Sequence, residues 1–230
     1  MSKKRKWKNC FQVYKFALNK LIISFVILGL FYSSCAQENP RSPQLDLEPV
    51  VVNNKNEHKA YFASGCFWCV EAIYESLIGV NEVISGYSGG DTNNPTYGLV
   101  NTRMTGHAET IEVTYNPNEI TFSNLLDVYF GSQDIDQING QGPDSGPQYR
   151  SIIFYQNNIQ KELISTKIKE VESKTGLKVA AEVYPFRKFW IAENYHQNFK
   201  KNNPNHPYIK NVSDPRFKNF KFKFEDLIKD

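Results

Sequence analysis

The stretch Gly65-Cys66-Phe67-Trp68-Cys69 constrains this chain more than any other, because it sits where the apolar run Lys59 to Ser64 gives way to a helical pattern beginning near Phe67. A cysteine at such a junction lies against the unpaired N–H groups and the positive end of a helix N-terminus. That placement predicts a lowered pKa for Cys66. Cys69 follows one turn later on the same helical face, close enough for a disulfide with Cys66 after modest adjustment of the turn. Between them, Phe67 and Trp68 offer an apolar aromatic surface suited to a small uncharged methyl or thioether.

Taken alone, C-x-x-C has other readings. Half of a zinc site is one, but the chain has 4 cysteines, and Cys10 and Cys35 fall in a segment with its own explanation, so no metal site is expected. A redox motif of the thioredoxin kind is the stronger competitor, since it shares the strand-then-helix context.

Residues 1–34 hold 7 Lys or Arg and no acid, followed from Leu21 to Phe31 by an apolar run too short to span a bilayer comfortably. The overall net charge of +3 comes from this leader: the rest carries 20 basic against 24 acidic residues and leaves no nucleic-acid footprint. Ser33-Ser34-Cys35 resembles the lipobox of bacterial lipoproteins, with Tyr32 where an aliphatic residue is usual. Cys35 is therefore the candidate lipidation site, and the alternatives are an ordinary signal peptide or an uncleaved anchor. All three place the domain in the cell envelope, outside the cytoplasm. Residues 35–57, rich in Pro, Asn and Gln without periodicity, read as a flexible tether.

With 40% hydrophobic and 14% aromatic residues, the remainder is ample for one core. Val70, Ile73, Tyr74 and Leu77 form an i, i+3, i+4, i+7 stripe, and Gly79 is a plausible stop. Strands are expected over 80–87, 110–115, 150–155 and 178–183. Helices are expected after a Ser123 N-cap and over Asn158 to Thr175, the latter with Ile159, Leu163, Ile164, Ile168 and Val171 inward. The order is β-α-β-β-α-β followed by a helix and a strand, an α+β ferredoxin-like two-layer sandwich with a C-terminal extension. The catalytic domain is read as 58–212 and residues 213–230 as a tail.

GCFWCVEAIYESLIGV, GYSGG with NPTY, TGHAE, and QGPDSGPQYRS closely resemble motifs of the peptide methionine sulfoxide reductase A family, over residues from about Lys59 to Tyr208. The resemblance implies reduction of the S epimer of methionine sulfoxide in peptides and proteins, with no bound cofactor. Cys66 is then the nucleophile, Cys69 the resolving cysteine, and Glu109 the acid, with hydrogen bonds from Tyr97 and Tyr149. Phe67, Trp68, Tyr97, Asp144 and Tyr149 line the substrate pocket. The segment from Pro185 to Asn198 resembles the family's C-terminal helix. Many members have glycine where Cys69 stands and carry resolving cysteines near the C-terminus. This chain has no cysteine after Cys69, so recycling would run through a Cys66–Cys69 disulfide and an external thioredoxin-like dithiol. The expected partners are oxidised proteins, that reductant, and a membrane through the lipid; a monomer is expected. Read alone, Glu109 is a solvated strand-end carboxylate, Asp144 a turn residue and Tyr149 a core tyrosine. A thiol–disulfide exchanger of the envelope and a ligand-binding lipoprotein that does not turn over remain alternatives.

Overall fold

The structure, a computed structural model, describes residues 57–229. The signal segment, the tether up to residue 56 and the lipidation candidate Cys35 lie outside the described residues. Along the chain run β1 (His58–Ala63), α1 (Phe67–Glu75), β2 (Val80–Ser88), α2 (Tyr97–Asn101), β3 (Ala108–Tyr115) and α3 (Phe122–Gly131). There follow a small hairpin of β4 (Gly140–Gln141) and β5 (Asp144–Ser145), then β6 (Ile152–Tyr155), α4 (Asn158–Thr175), β7 (Glu182–Pro185), β8 (Trp190–Ile191), α5 (Phe199–Asn202) and α6 (Asp214–Lys223).

Among the described residues, six strands form one sheet in the order β7-β6-β1-β3-β2-β8. β1 runs antiparallel to β3 and β6, and β2 antiparallel to β3 and β8. Only β6 and β7 pair in parallel, and α4 supplies the crossover that a parallel connection needs. The result is a mixed α+β fold with a mostly antiparallel sheet.

Side chains alternate across a strand, so Ala60 and Phe62 of β1 share a face with Ile111, Val113 and Tyr115 of β3. Onto that face α1 lays Val70, Ile73 and Tyr74, with Leu77 just after it, none more than 2% exposed, while α3 adds Leu125, Leu126 and Tyr129. Each such side chain contributes on the order of 1.5–3 kcal/mol by leaving water. On the opposite face Phe186 stacks on Tyr61 at 3.7 Å, beside Ala63, Ile152 and Phe154. Glu112, also on this face, has both carboxylate oxygens occupied, by Lys59 Nζ at 2.6 Å and the Tyr61 hydroxyl at 2.7 Å. Covered on both sides, β3 is buried along its whole length.

Several elements differ from the sequence expectation. The strand expected over 178–183 is Glu182–Pro185, because Ala180 N–H donates instead to the Ile135 carbonyl at 2.8 Å. In α4, Ile159 and Leu163 face solvent at 72% and 37% exposure. The inward stripe is Gln160, Ile164, Ile168 and Val171, with Gln160 Oε1 accepting the Gln156 N–H at 2.8 Å. Thr121, not Ser123, caps α3, in a reciprocal pair with Asn124.

The segment 185–198 is not one helix: it ends β7, forms β8, and closes in a 3₁₀ turn at Asn194–His196. Gln197 then clamps β2, its side-chain amide meeting both the N–H and the carbonyl of Ser85 at 2.9 Å. Residues 213–230, read as a tail, include α6, which packs on α1 and α3 with Phe220 1% exposed.

Candidate active site

Gly65 makes the turn from β1 into α1 with φ +86, a left-handed conformation that a side chain disfavours, and a Cβ there would come within 2.5 Å of Gln141 Cβ. That turn leaves Cys66 as the N-cap of α1, with no side-chain cap hydrogen bond. The helix N–H group next to it, on Phe67, donates to Glu109 Oε2 at 3.0 Å. Glu109 belongs to the same alternating face as Ile111 and Val113, so its carboxyl points under the start of α1 and is 2% exposed. The solvated strand-end reading is thereby overturned.

Burial pushes Glu109 up to about 8, assisted by the negative charge of Asp144 and opposed by the Phe67 N–H. At neutral pH this carboxyl holds its proton.

Cys66 and Cys69 are both free, 6% and 2% exposed, and each shifts the other's titration. The expected lowering of Cys66 is corrected: burial, then the neighbouring Cys69, then the charge of Glu109 push the Cys66 thiol up. The helix N–H that would stabilise its thiolate is committed to Glu109. The pair's low position is Cys69, held down first by Cys66 and further by Arg216, Ser213 and Tyr208.

The aromatic wall is extended by residues from the C-terminal segment. The Trp68 ring stacks on Phe199 at 3.6 Å and 8°, and its Nε1 donates to His196 Nδ1 at 3.0 Å. Phe67 is packed between the Tyr87 ring at 5.9 Å and the His196 ring at 4.8 Å. Tyr97 opens α2, its N–H donating to Glu193 Oε1 at 2.9 Å and its ring 4.5 Å from His196. Glu193 also accepts the Tyr87 hydroxyl at 2.9 Å, tying α2 to β2.

The Tyr97 and Tyr149 phenols are pushed up by burial, and both feel the charges of Glu109 and Cys66. The bonding partner of Glu109 is the Phe67 N–H, in place of the two tyrosines expected. Asp144 reaches the cysteines through Tyr208, whose hydroxyl donates to Asp144 Oδ2 at 2.5 Å and accepts from Cys69 Sγ at 3.7 Å.

The three expected catalytic and five expected pocket residues thus lie together, and Tyr208, His196, Glu193 and Arg216 join them unannounced. Tyr208 ends the stretch that resembles the family and His196 lies within it, but no spacing separates either from an ordinary packing residue. Arg216 carries no sequence signal. His107 stays outside, its ring accepting the Gly90 N–H at 3.1 Å and meeting the Thr92 carbonyl at 2.8 Å, which fastens the turn before α2. Among the described residues no cluster of His, Cys, Asp or Glu could hold a metal ion. Two adjacent thiols, a buried carboxyl that keeps its proton and an aromatic wall can support nucleophilic attack with proton delivery to a small polar leaving group.

A family profile described as peptide methionine sulfoxide reductase matches residues 58–227. The chain is 46% identical over 167 residues to a peptide methionine sulfoxide reductase MsrA of Sulfolobus acidocaldarius, covering 73% of this chain and 95% of that one. It is 43% identical over 171 residues to the MsrA of Pasteurella multocida, covering 74% and 98%. Among solved structures, it is similar to reduced Mxr1 of Saccharomyces cerevisiae, with a TM-score of 0.62 and 30% identity over 70% of this chain and 93% of that one.

Proposed function

The chain belongs to the peptide methionine sulfoxide reductase A family and is an enzyme of that class, and from that premise we propose that it reduces the S epimer of methionine sulfoxide, free or in proteins, in a cycle carried by Cys66, Cys69 and Glu109. The observation that supports this most directly is the Glu109 carboxyl lodged at the start of the nucleophile's helix, 2% exposed and pushed up to about 8.

Cys66 sulfur attacks the sulfoxide sulfur while Glu109 protonates the sulfoxide oxygen. Methionine departs as the sulfide, reduced by two electrons. The oxygen remains on Cys66 as a sulfenic acid, and the thiol proton replaces the one Glu109 gave. Trp68 and Phe67 seat the methyl, and the Tyr97 and Tyr149 hydroxyls stand by to bond the oxygen. Cys69 then closes a disulfide with Cys66, releasing water, and an external thioredoxin-like dithiol restores both thiols. We also read β6-β1-β3-β2 as a ferredoxin-like core, to which β7 and β8 add the two edges.

Purified protein is to be offered peptides bearing each sulfoxide epimer with dithiothreitol, and separately a protein cystine. Turnover of the S epimer alone is expected. Cystine reduction without sulfoxide turnover would replace this reading by thiol–disulfide exchange, and neither activity would leave only ligand binding.

A further inference from the structure

Cys69 has surroundings that the attack on the sulfoxide does not use. It borders a groove of about 370 Å³, shared with Ser132, Asp144, Tyr208 and Arg216. Arg216 reaches in from α6 and is anchored at two atoms, Nε donating to the Ser132 carbonyl at 2.9 Å and Nη1 to the Ser64 carbonyl at 3.0 Å. Its remaining nitrogen, Nη2, is buried and has no hydrogen-bond partner. The Ser213 hydroxyl, one turn before it, is likewise buried without a partner of ordinary geometry, and it faces Cys69. Buried donors lacking an acceptor are costly and rare, and a guanidinium left so beside a thiol is suited to an anion at that sulfur.

We infer that Arg216, helped by Ser213, is a positioning residue that keeps Cys69 as the attacking thiolate of the disulfide-forming step. This rests on the reductase reading above. In the step, the Cys69 sulfur attacks the sulfur of the Cys66 sulfenic acid. The S–S bond forms as the S–O bond breaks, the hydroxide leaves with a proton from Glu109 as water, Cys69 is oxidised and Cys66 reduced. A nucleophile already deprotonated needs no base, and Glu109, holding its proton, could not serve as one. The groups facing Cys69 are Cys66 on α1, Glu109 on β3, Asp144 on β5, Tyr208 and Ser213 on the turn before α6, and Arg216 itself. Of these Arg216 is the cation, and its charge also acts on Asp144, which Tyr208 already bonds.

The test compares Arg216→Gln, Arg216→Lys and Ser213→Ala in the full chain. With Cys10, Cys35 and Cys66 all replaced by serine, thiolate absorbance against pH reads Cys69 alone. Arg216→Gln is expected to raise its midpoint by about one unit, with Arg216→Lys restoring much of that and Ser213→Ala giving a smaller rise. With Cys66 present, one equivalent of sulfoxide peptide followed by rapid quench and mass analysis gives the rates of methionine release and disulfide closure. At pH 6 Arg216→Gln should lower closure relative to release by roughly fivefold, since a one-unit rise removes most of the thiolate there. An unmoved Cys69 midpoint in both Arg216→Gln and Ser213→Ala, or equal slowing of both steps, would overturn the assignment. Should Arg216→Gln fail to fold, Arg216→Lys and Ser213→Ala decide by the same midpoints. Absence of methionine release from the wild type would defeat the reductase reading instead, and the Cys69 titration would still judge Arg216.

Discussion

Glu109 and Cys66 divide one helix terminus between them. The Phe67 N–H goes to the carboxyl, which burial nonetheless pushes up to about 8, so Glu109 rather than Cys66 occupies the favourable electrostatic position. The proton that leaves with the sulfoxide oxygen is therefore present below about pH 8 and lost above it. Single-turnover methionine release should fall as pH rises through that value. Glu109→Gln, which preserves shape but cannot deliver a proton, should slow release by ~10²–10⁴-fold and abolish this alkaline limb. A rate within a few-fold of wild type, with the limb retained, would move the acid's role to another group. Cys66→Ser should be inactive. Cys69→Ser should release about one methionine per enzyme and then stall with a thioredoxin-like reductant, the stoichiometry of a lone nucleophile; sustained turnover would disprove Cys69 as resolver.

At the scale of elements, α1 is held to the C-terminal segment by a buried acid on its far side. Glu71, 1% exposed, accepts the Asn198 N–H at 3.0 Å, and Asn198 leads into Phe199, the residue stacked on Trp68. Burial pushes Glu71 up to about 7. Because this lies above an unfolded carboxyl's value of roughly 4.3, the folded state holds an extra proton between the two. The associated stability is full below the unfolded value and is lost as pH rises through the folded one. Glu71→Gln should flatten the decline of the urea midpoint between pH 5 and 8; an unchanged slope would show that Glu71 does not titrate with folding. At the mouth of α1, Gly65→Ala should destabilise by about 1–3 kcal/mol, the cost of a non-glycine residue in such a conformation, and more if Gln141 cannot move from 2.5 Å. A urea midpoint equal to wild type would show that the turn relaxes.

For the whole molecule, every contact described at the site is made within residues 57–229, from Ser64 to Arg216. A chain beginning at residue 57 should keep wild-type turnover on a free sulfoxide peptide; a tenfold loss would mean that the leader or tether contributes to the site. No helix among the described residues is long and apolar enough to cross a membrane. We propose anchoring by a lipid on Cys35 outside the cytoplasm. Cys35→Ala should abolish the lipid and a signal-peptidase inhibitor should leave the signal uncut, and no change in mass or membrane association under either would exclude it.

Much of this was legible along the chain because it is written at short range. The strand-to-helix cysteine, the α1 stripe and the alternation that turns Glu109 toward the helices all depend on neighbours a few residues apart. So do the loop motifs whose resemblance marks Tyr97, Asp144 and Tyr149. The protonation order of the cysteines was not legible, since it depends on which group takes the Phe67 N–H, and that group lies 42 residues away. Tyr208 meets Cys69 from 139 residues on, and Arg216 meets Ser64 from 152. A tyrosine and an arginine in a polar C-terminal stretch look like any others until the fold brings them to the buried thiol. Local sequence determined where Cys66 and Glu109, the proposed nucleophile and acid, stand, and the sheet that presents them. Only tertiary packing decided which sulfur is pushed up and which is held down, because that is set by burial and by charges from distant segments.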